Sequence, residues 1–502
     1  MKIINFMNFV RYYEPRINDI QAGKDILFET TKREMELAKE FGIKNTFLLE
    51  YDALIDERYI NFFKENADEN TELGLWFEIP KQLLDRVGLE WRGREGWTWD
   101  WEIIPGFSMA YTREERELII DEAMNRFKEI YGYYPKSVAS WLIDTYTMEL
   151  LSKKYDVSYI GICRDQVSTD AYTLVGGYFN QAYYPSNKNM FTPAQTKEQQ
   201  INTPVFRLLG PDPIHNYDNH KYFESCKEKI ATLYTLEPAW PIGRDEEVIK
   251  WFKKSYFENE DLGFSYAQIG QENSFGTECR DALLAGLRLQ LEIFTKNPEI
   301  KFMKTSEVGD WFKRTYDKTP ATSVCAMDDW ATGNDVQSVC YNCQKYTANV
   351  FRYKNKVFLR NLYLFNGDIE EDYLSTPCQT WDATYENLPV VDTLLWEDDN
   401  GIVFDTDAEE IKVEKISESS IRVFWKDKEV VLYEDKITLK NTTPEFCIKG
   451  SKAEISVKDN EICYSYKGNK YTLKVDNAEI VENDGVLKFV SDGVIELSLS
   501  YQ

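Results

Sequence analysis

Residues 21–52 read QAGKDILFETTKREMELAKEFGIKNTFLLEYD and contain one helix followed by one strand. Apolar residues recur at helical spacing over Gln21–Phe41, and Gly42 follows where a glycine commonly ends a helix. The apolar run Thr46–Glu50 then predicts a strand. Because Ile3–Phe9 is also an apolar run, the chain begins with a predicted strand–helix–strand unit.

The same alternation continues through the first three-fifths of the chain. Strands are predicted at Leu73–Ile79, Ser137–Ile143, Val157–Cys163, Ile230–Leu236 and Gly263–Ile269, and helices at Glu57–Asn66, Arg113–Tyr131, Thr147–Tyr155, Glu246–Phe257 and Thr277–Thr295. The stretch Asp165–His220 predicts an elaborated loop with an extra strand at Pro204–Leu209. Strands that alternate with helices form parallel sheets, so residues 1–318 predict an α/β domain of (β/α)7-type barrel architecture.

After Pro320 the pattern changes to short runs of alternating character. Tyr346–Tyr353 and Lys356–Leu364 are typical, and turns such as Lys467–Asn469 and Asn483–Gly485 separate later runs. Many short strands without a helical segment predict an all-β sandwich over residues 319–502.

Charge and composition restrict the partners. The 502 residues carry a formal net charge of −26, which disfavours binding to nucleic acid or to an anionic membrane surface. Hydrophobic residues make up 43%, enough for substantial cores, and no apolar run approaches the length of a membrane span. The aromatic share of 15% suits either large cores or stacking on sugar rings.

The cysteines and the N-terminus bear on cellular location. Nine cysteines at irregular spacing do not resemble a secreted disulfide framework. Cys340 and Cys343 form a lone C-x-x-C without a second pair, which disfavours a zinc ribbon. The first residues predict a strand rather than a signal sequence, so we expect a cytoplasmic protein, although a signal removed earlier would leave the same start.

In parallel α/β sheets and barrels, ligands bind where the carboxyl ends of the strands meet. Polar side chains follow these predicted strand ends repeatedly: Asn8 and Arg11, Glu50 and Asp52, Glu78, Asp144, Glu237, and Gln271, Glu272 and Asn273. Repeated carboxylates suit glycoside hydrolysis, which uses one acid and one nucleophile or base. Acidic residues also cap helices, and for any single carboxylate that interpretation is the commoner one.

Three carboxylates have the most suggestive surroundings. Asp144 follows an apolar strand, and Glu237 lies beside Trp240 ahead of a Pro-Ile-Gly turn. Glu272 lies between Gly270 and Gly276, which allow the backbone to present it closely.

Tryptophans at period two mark the insert Gly88–Tyr111, where Trp99 is flanked by Trp97 and Trp101. They predict either one buried face of a strand or a sugar-stacking platform.

Histidine is scarce, with only His215 and His220 in one loop. Their separation does not place both on one helix or strand face, so the loop either contacts substrate or closes around a cation with Asp212 or Asp218. A P-loop, a G-x-G-x-x-G fingerprint and a G-x-S-x-G elbow are all missing from the sequence, so we predict no cofactor.

The first 318 residues resemble the glycoside hydrolase/deacetylase superfamily, whose members have seven-stranded (β/α) barrels. The resemblance depends on the order of elements, on Phe47–Asp52 after the second strand, on Gly74–Glu78 in the third and on Tyr131–Pro135 before the fourth. A C-terminal β-domain also resembles those attached to such enzymes. The two-domain plan is similar to an uncharacterised bacterial family.

The resemblance implies roles for individual residues. Asp52 lies where metal-dependent deacetylases of the superfamily have a metal-binding Asp, but the third strand carries Trp76 and Glu78 in place of their histidines. Retaining glycosidases of the superfamily have a nucleophile after the fourth strand and an acid/base after the seventh, which correspond here to Asp144 and Glu272.

The leading prediction is a glycoside hydrolase with a carbohydrate substrate and no metal. Its catalytic residues are predicted to be Asp144, Glu272 and Glu237, and its substrate contacts Asp52, Glu78, Trp99, Trp240, His215 and Arg11. The alternatives are a metal-dependent deacetylase-like hydrolase and a glycan-binding protein without catalysis.

Overall fold

The computed structural model describes residues 1–167, 170–215, 234–259, 261–395 and 401–501. The N-terminal part is a mixed α/β half-barrel. Its strands are β1 (Lys2–Val10), β2 (Asn45–Leu49), β3 (Thr71–Trp76), β4 (Ser137–Ala139), β5 (Tyr159–Ile162), β6 (Tyr172–Val175), β7 (Ala182–Tyr183), β8 (Val205–Arg207), β9 (Ser265–Ile269) and β10 (Ile300–Phe302).

Helices connect most of these strands. They are α1 (Ile20–Glu40), α2 (Tyr51–Ile55), α3 (Glu57–Asn66), α4 (Lys81–Val87), α5 (Ile103–Gly106), α6 (Arg113–Tyr131), α7 (Thr145–Tyr155), α8 (Glu246–Phe257), α9 (Gly276–Phe294) and α10 (Thr305–Thr315). Helix α6 begins with a complete capping box between Thr112 and Glu115 and ends at Gly132 in the left-handed conformation.

The sheet runs in the order β10-β1-β2-β3-β4-β5-β8-β7, and β9 also pairs with β1. All of these pairings are parallel except that of β7 with β8. The predicted parallel α/β sheet is therefore confirmed, in the form of a half-barrel. Of the predicted strand Ile230–Leu236, residues 230–233 lie outside the described part of the chain, and Leu236 donates its backbone N–H to Leu209.

The C-terminal part consists of antiparallel sheets, as predicted. One sheet contains β11 (Thr322–Ala326), β12 (Val336–Asn342), β13 (Tyr346–Tyr353), β14 (Lys356–Leu364), β16 (Leu388–Asp392), β17 (Ile402–Asp405), β22 (Glu445–Cys447), β26 (Glu479–Asn483) and β27 (Val486–Val490). The other contains β18 (Lys412–Ser417), β19 (Ser420–Trp425), β20 (Lys428–Leu432), β21 (Ile437–Lys440), β23 (Glu454–Lys458), β24 (Glu461–Tyr466), β25 (Asn469–Asp476) and β28 (Ile495–Tyr501).

Side chains from both antiparallel sheets form one hydrophobic cluster, which includes Val350 and Leu359 of the first sheet and Val423 and Leu497 of the second. This shared core is what a sandwich requires. The predicted turns also form, since Lys467 and Gly468 have positive φ between β24 and β25.

The two parts of the chain pack closely against each other. Helix α8 contributes Ile249 and Phe252 to a cluster that also contains Val324 and Phe351 of the first antiparallel sheet. In addition, β15 (Ala383–Glu386) pairs in parallel with β6 of the N-terminal part. The predicted division into residues 1–318 and 319–502 coincides with the change from helices to strands, and as a division into domains it stays a prediction.

Gly270 lies between β9 and Glu272, and its lack of a side chain lets the ends of β1 and β9 approach closely. Its φ is +113°, and a Cβ built there would lie 2.0 Å from the backbone oxygen of Met7. The next residue, Gln271, accepts a hydrogen bond from the Phe9 N–H at 3.2 Å, so the close approach joins the ends of β1 and β9.

We predict that Gly270→Ala lowers the free energy of unfolding by about 3 kcal/mol, because it combines an unfavourable φ with a clash against backbone. The measurement is chemical denaturation. Gly42→Ala is the matched control, since Gly42 also has a positive φ of +62° but nothing within 4 Å of the added Cβ, and it should cost about 1 kcal/mol. Equal effects of the two substitutions would contradict the close-approach explanation.

Candidate active site

A group of buried charged residues lies where the ends of β1, β2, β3 and β9 meet. We call it the Arg11 cluster, and it comprises Arg11, Glu50, Asp52, Glu78 and Glu272. Four members follow a strand: Arg11 follows β1, Glu50 follows β2, Glu78 follows β3 and Glu272 follows β9. Asp52 lies in the first turn of α2. Parallel pairing of β1 with β2 and β9 brings these strand ends to one edge. The position agrees with the general rule for ligand sites in parallel sheets.

The guanidinium of Arg11 bridges two carboxylates in this cluster. Its Nη2 lies 2.6 Å from Glu78 Oε2, and its Nη1 donates a short hydrogen bond to Glu272 Oε2. The side chain of Arg11 is 2% exposed. Burial alone would lower the pKa of Arg11, but the surrounding carboxylates, Glu272 foremost, raise it above its ordinary value. Arg11 therefore stays charged and holds Glu78 and Glu272 side by side.

Trp99 covers this ion-pair network. Its ring lies 4.1 Å from the Arg11 guanidinium carbon, and its Nε1 donates to Glu78 Oε2 at 2.8 Å. No strand is present in the fully described segment between Gly88 and Glu102, so the prediction of a buried strand face is wrong there. The tryptophans at period two therefore lie in a loop that folds over charged groups.

Glu50 and Asp52 make the cluster strongly acidic. Burial raises the pKa of Asp52 to about 6, although a hydrogen bond with Glu50 opposes the increase. Burial and the nearby Asp52 carboxylate raise the pKa of Glu50 well above its ordinary value. Two buried carboxyl groups in contact favour sharing a proton over both being ionised, so this pair carries less than two negative charges.

Glu237 lies next to the Arg11 cluster and is held by hydrogen bonds. Gln271 Nε2 donates to Glu237 Oε1 at 3.2 Å, and Thr235 Oγ1 donates to Oε2 at 3.0 Å. Burial raises the pKa of Glu237 to about 7, with a smaller increase from the charge of Glu272. Glu237 is therefore a carboxyl group that changes protonation near neutral pH.

Accessibility separates these acids. Glu237 and Glu272 are each 5% exposed, whereas Glu50, Asp52 and Glu78 are 0–2% exposed. Trp240, three residues after Glu237, is half-buried and packs against Phe275 at a ring distance of 5.8 Å. Among these five acids, Glu237 and Glu272 thus have the largest exposed fractions.

Asp144 lies in a different environment, at the N-terminus of α7. Its carboxylate caps the helix through the Thr147 N–H at 3.1 Å, accepts from Ser108 Oγ at 2.5 Å and pairs with Arg116 Nη1 at 2.7 Å. Glu371 of the C-terminal part covers the same helix end by accepting from the Thr145 N–H at 2.9 Å. These contacts account for Asp144 as a structural cap, and its predicted catalytic role stays a prediction.

His215 is buried where the two parts of the chain meet. Its ring stacks on Tyr234 at 4.8 Å, and its Nε2 lies 3.5 Å from Asp329 Oδ1. Its backbone N–H donates to Asp212. The contact of His215 with substrate remains a prediction, while His220 and Asp218 lie outside the described residues.

A deacetylase-type metal would need histidine or carboxylate ligands grouped together. In the described parts of the chain, no group of three or more His, Cys, Asp and Glu side chains is placed to hold a metal ion. At the end of β3, where such enzymes would present histidines, the chain has Trp76 stacked on Phe9 and Glu78 bound to Arg11. The residues present do not fit that metal.

Two residues of the site were not predicted from the sequence. Glu50 follows a predicted strand, but only its burial beside Asp52 reveals its altered protonation. Gln271 carried no signal beyond its position next to Glu272. In the structure its Oε1 accepts from the Ala239 N–H at 3.2 Å, which orients Nε2 toward Glu237. That orientation depends on tertiary contacts.

We predict that Asp144→Asn lowers the free energy of unfolding by about 3 kcal/mol, because it leaves the buried Arg116 without its counter-charge. Denaturation curves measure the loss. The control is Asp245→Asn, since Asp245 caps α8 at an exposed position through the Glu247 and Val248 N–H groups, and asparagine caps equally well. An Asp144→Asn variant of full stability without activity would instead support a catalytic Asp144.

Comparisons with known proteins agree with the observed fold. Residues 91–335 match the family model of a domain of unknown function with a solved structure (DUF3863). No curated protein matches the sequence. Among solved structures, a candidate glycoside hydrolase/deacetylase from Parabacteroides distasonis superposes with a TM-score of 0.50 at 12% identity, covering 79% of this chain and 94% of that one.

Two further solved structures superpose on this chain less closely, with lower TM-scores. A 4-alpha-glucanotransferase from Thermococcus litoralis has a TM-score of 0.32 at 10% identity, covering 100% of this chain and 98% of that chain. A candidate polysaccharide deacetylase from Pseudomonas aeruginosa has a TM-score of 0.36 at 12% identity, covering 62% and 91%. The fold of this chain is similar to that of the Parabacteroides distasonis structure described as a glycoside hydrolase/deacetylase, and its residues 91–335 match DUF3863.

Proposed function

We propose that this chain is a carbohydrate-active hydrolase that cleaves glycosidic bonds with Glu237 and Glu272 as the two reacting carboxyl groups. The observation that carries the proposal is the pair itself. The two neighbouring buried carboxyl groups have different partners: Glu237 has a neutral amide and a hydroxyl, whereas Glu272 has a guanidinium and a hydroxyl. Acid and base roles require two acids with different surroundings, and the positive charge of Arg11 lies beside Glu272.

Glu237 is suited to donate a proton to the glycosidic oxygen. Its pKa of about 7 keeps a large fraction protonated in neutral solution. Gln271 is oriented by the Ala239 backbone and donates to the carboxylate that remains after proton transfer. Gln271 is thus a positioning residue for Glu237.

Glu272 is suited to the second role, as nucleophile or as the base that activates water. Burial raises its pKa, and the Arg11 guanidinium opposes this by stabilising the ionised form. Ser274 Oγ donates to its other oxygen at 2.7 Å. Held on both oxygens, the Glu272 carboxylate has a defined direction. The half-buried ring of Trp240 supplies an aromatic surface near Glu237 for stacking on a sugar.

We expect Glu237→Gln and Glu272→Gln each to reduce turnover by a factor of about 10² to 10⁴, because each removes one half of the acid–base pair. The assay is release of nitrophenol from a panel of aryl glycosides, followed by product analysis on polysaccharides. Glu299→Gln is the control, since Glu299 pairs with Lys2 at the opposite end of β1 and is exposed. Unchanged turnover in both site variants contradicts the assignment.

Assays with acetylated sugars and sugar-binding measurements test the other functions considered. Acetate release from acetylated sugars without glycoside cleavage would assign a deacetylase. Sugar binding without either reaction would assign a binding protein. The anomer formed first, read by NMR, distinguishes retention from inversion once cleavage is observed.

Activity should decline as pH rises through about 7, because Glu237 donates a proton only in its neutral form and that form is lost above its pKa. Gln271→Leu removes a hydrogen-bond donor to the ionised form, so the alkaline limb of kcat/KM should move up by about one pH unit. Initial rates measured from pH 5 to 9 test both statements. An alkaline limb at the same pH in the Gln271→Leu variant argues against Glu237 as the acid.

A further inference from the structure

The backbone of Arg11 lies just beyond the end of β1, where regular pairing with β9 has stopped. Before that point, the Phe9 N–H donates to the Gln271 carbonyl oxygen at 3.2 Å, and the Gln271 N–H donates to Asn8 Oδ1 at 3.1 Å. Arg11 is 2% exposed, so its own backbone N–H and C=O groups need partners inside the protein.

The carboxamide of Asn273 supplies a partner to both of these groups. Its Oδ1 accepts from the Arg11 N–H at 2.9 Å, and its Nδ2 donates to the Arg11 carbonyl oxygen at 2.8 Å. Longer contacts of the same Nδ2, at 3.2–3.3 Å, reach Leu27 O, Thr31 Oγ1 and the Tyr59 hydroxyl. The Tyr59 hydroxyl is a second and longer donor to the Arg11 carbonyl oxygen, at 3.3 Å. Asn273 therefore makes the shortest hydrogen bond to each end of the Arg11 backbone.

Arg11 is thus held twice by one short segment, because Asn273 directly follows Glu272 in the chain. The Arg11 guanidinium pairs with Glu272, and the Arg11 backbone pairs with Asn273. These two attachments close a ring through the peptide bond between residues 272 and 273. Glu78 holds the guanidinium from β3, which fixes it relative to a different strand. The contact with Asn273 is what fixes the Arg11 backbone relative to Glu272.

We infer that Asn273 is a positioning residue for Glu272, because it holds the Arg11 backbone where the guanidinium meets the Glu272 carboxylate. Asn273 is 0% exposed, so it acts through Arg11 and does not touch a substrate. The consequences for turnover rest on the proposed hydrolysis. The consequence for the protonation of Glu272 does not, and it can be measured in a chain without activity.

Arg11 opposes the effect of burial on Glu272. Burial raises the pKa of Glu272, and the guanidinium charge lowers it. If the Arg11 backbone is released, the guanidinium is held less closely and the pKa of Glu272 should rise. A side chain that only stabilised the fold would change the free energy of unfolding without changing this protonation.

The test is Asn273→Leu, which removes both hydrogen bonds to the Arg11 backbone with little change in volume. We expect the pKa of Glu272 to rise by about one unit, measured by carboxyl-¹³C NMR titration of glutamate-labelled protein. The Glu272 signal is identified by its loss in Glu272→Gln. Asn273→Ser is the milder variant, and it carries the test if the leucine variant does not fold.

Turnover provides a second measurement on the same variants. Because Asn273 does not touch substrate, kcat should fall about tenfold while KM stays nearly constant. The acidic limb of the pH profile should move up together with the pKa of Glu272, since Glu272 acts in its ionised form.

The matched controls are Asn342→Leu and Asn342→Ser, because Asn342 holds the backbone of Phe179 in the same way. Its Oδ1 accepts from the Phe179 N–H at 2.8 Å, its Nδ2 donates to the Phe179 carbonyl oxygen at 3.3 Å, and it is 0% exposed. These variants should lose stability and keep the pKa of Glu272. An unchanged pKa of Glu272 in the Asn273 variants, or an equal rise in the controls, overturns the inference. If the unaltered chain cleaves no glycoside, the proposed function fails, and the titration still decides the role of Asn273.

Discussion

The site depends on one buried cation, the guanidinium of Arg11, which neutralises carboxylates from two other strands. Without it, the charges of Glu78 and Glu272 would repel each other at low dielectric. With it, the ends of β1, β3 and β9 are joined by charge-assisted hydrogen bonds and covered by Trp99.

Buried acids in this fold have different hydrogen-bond and charge partners. Asp144 has a helix N-terminus, a hydroxyl and an arginine as partners, so its charge is fully compensated inside the fold. Glu237 has only an amide and a hydroxyl, and its pKa rises to about 7. Such a carboxyl group exchanges protons readily near neutrality. The difference lies in the surroundings and not in the residue type.

The C-terminal part also contacts the N-terminal part directly. Through β15 it adds a strand beside β6, and through Glu371 it covers the start of α7. Within the described residues, none of the helices has the length and apolar character that a membrane span requires.

Local sequence determined the kinds of element and their order, because helical periodicity, strand alternation and turn residues such as Gly42 and Lys467–Asn469 act over a few residues. It also placed Arg11, Glu78 and Glu272 after strand ends, since parallel strands present their carboxyl ends together. Only the tertiary structure decided which of these acids share a cation, which one caps a helix and which remains near solvent. Protonation and access depend on groups far apart in the chain, as with Arg11 and Glu272, and no local pattern encodes those distances.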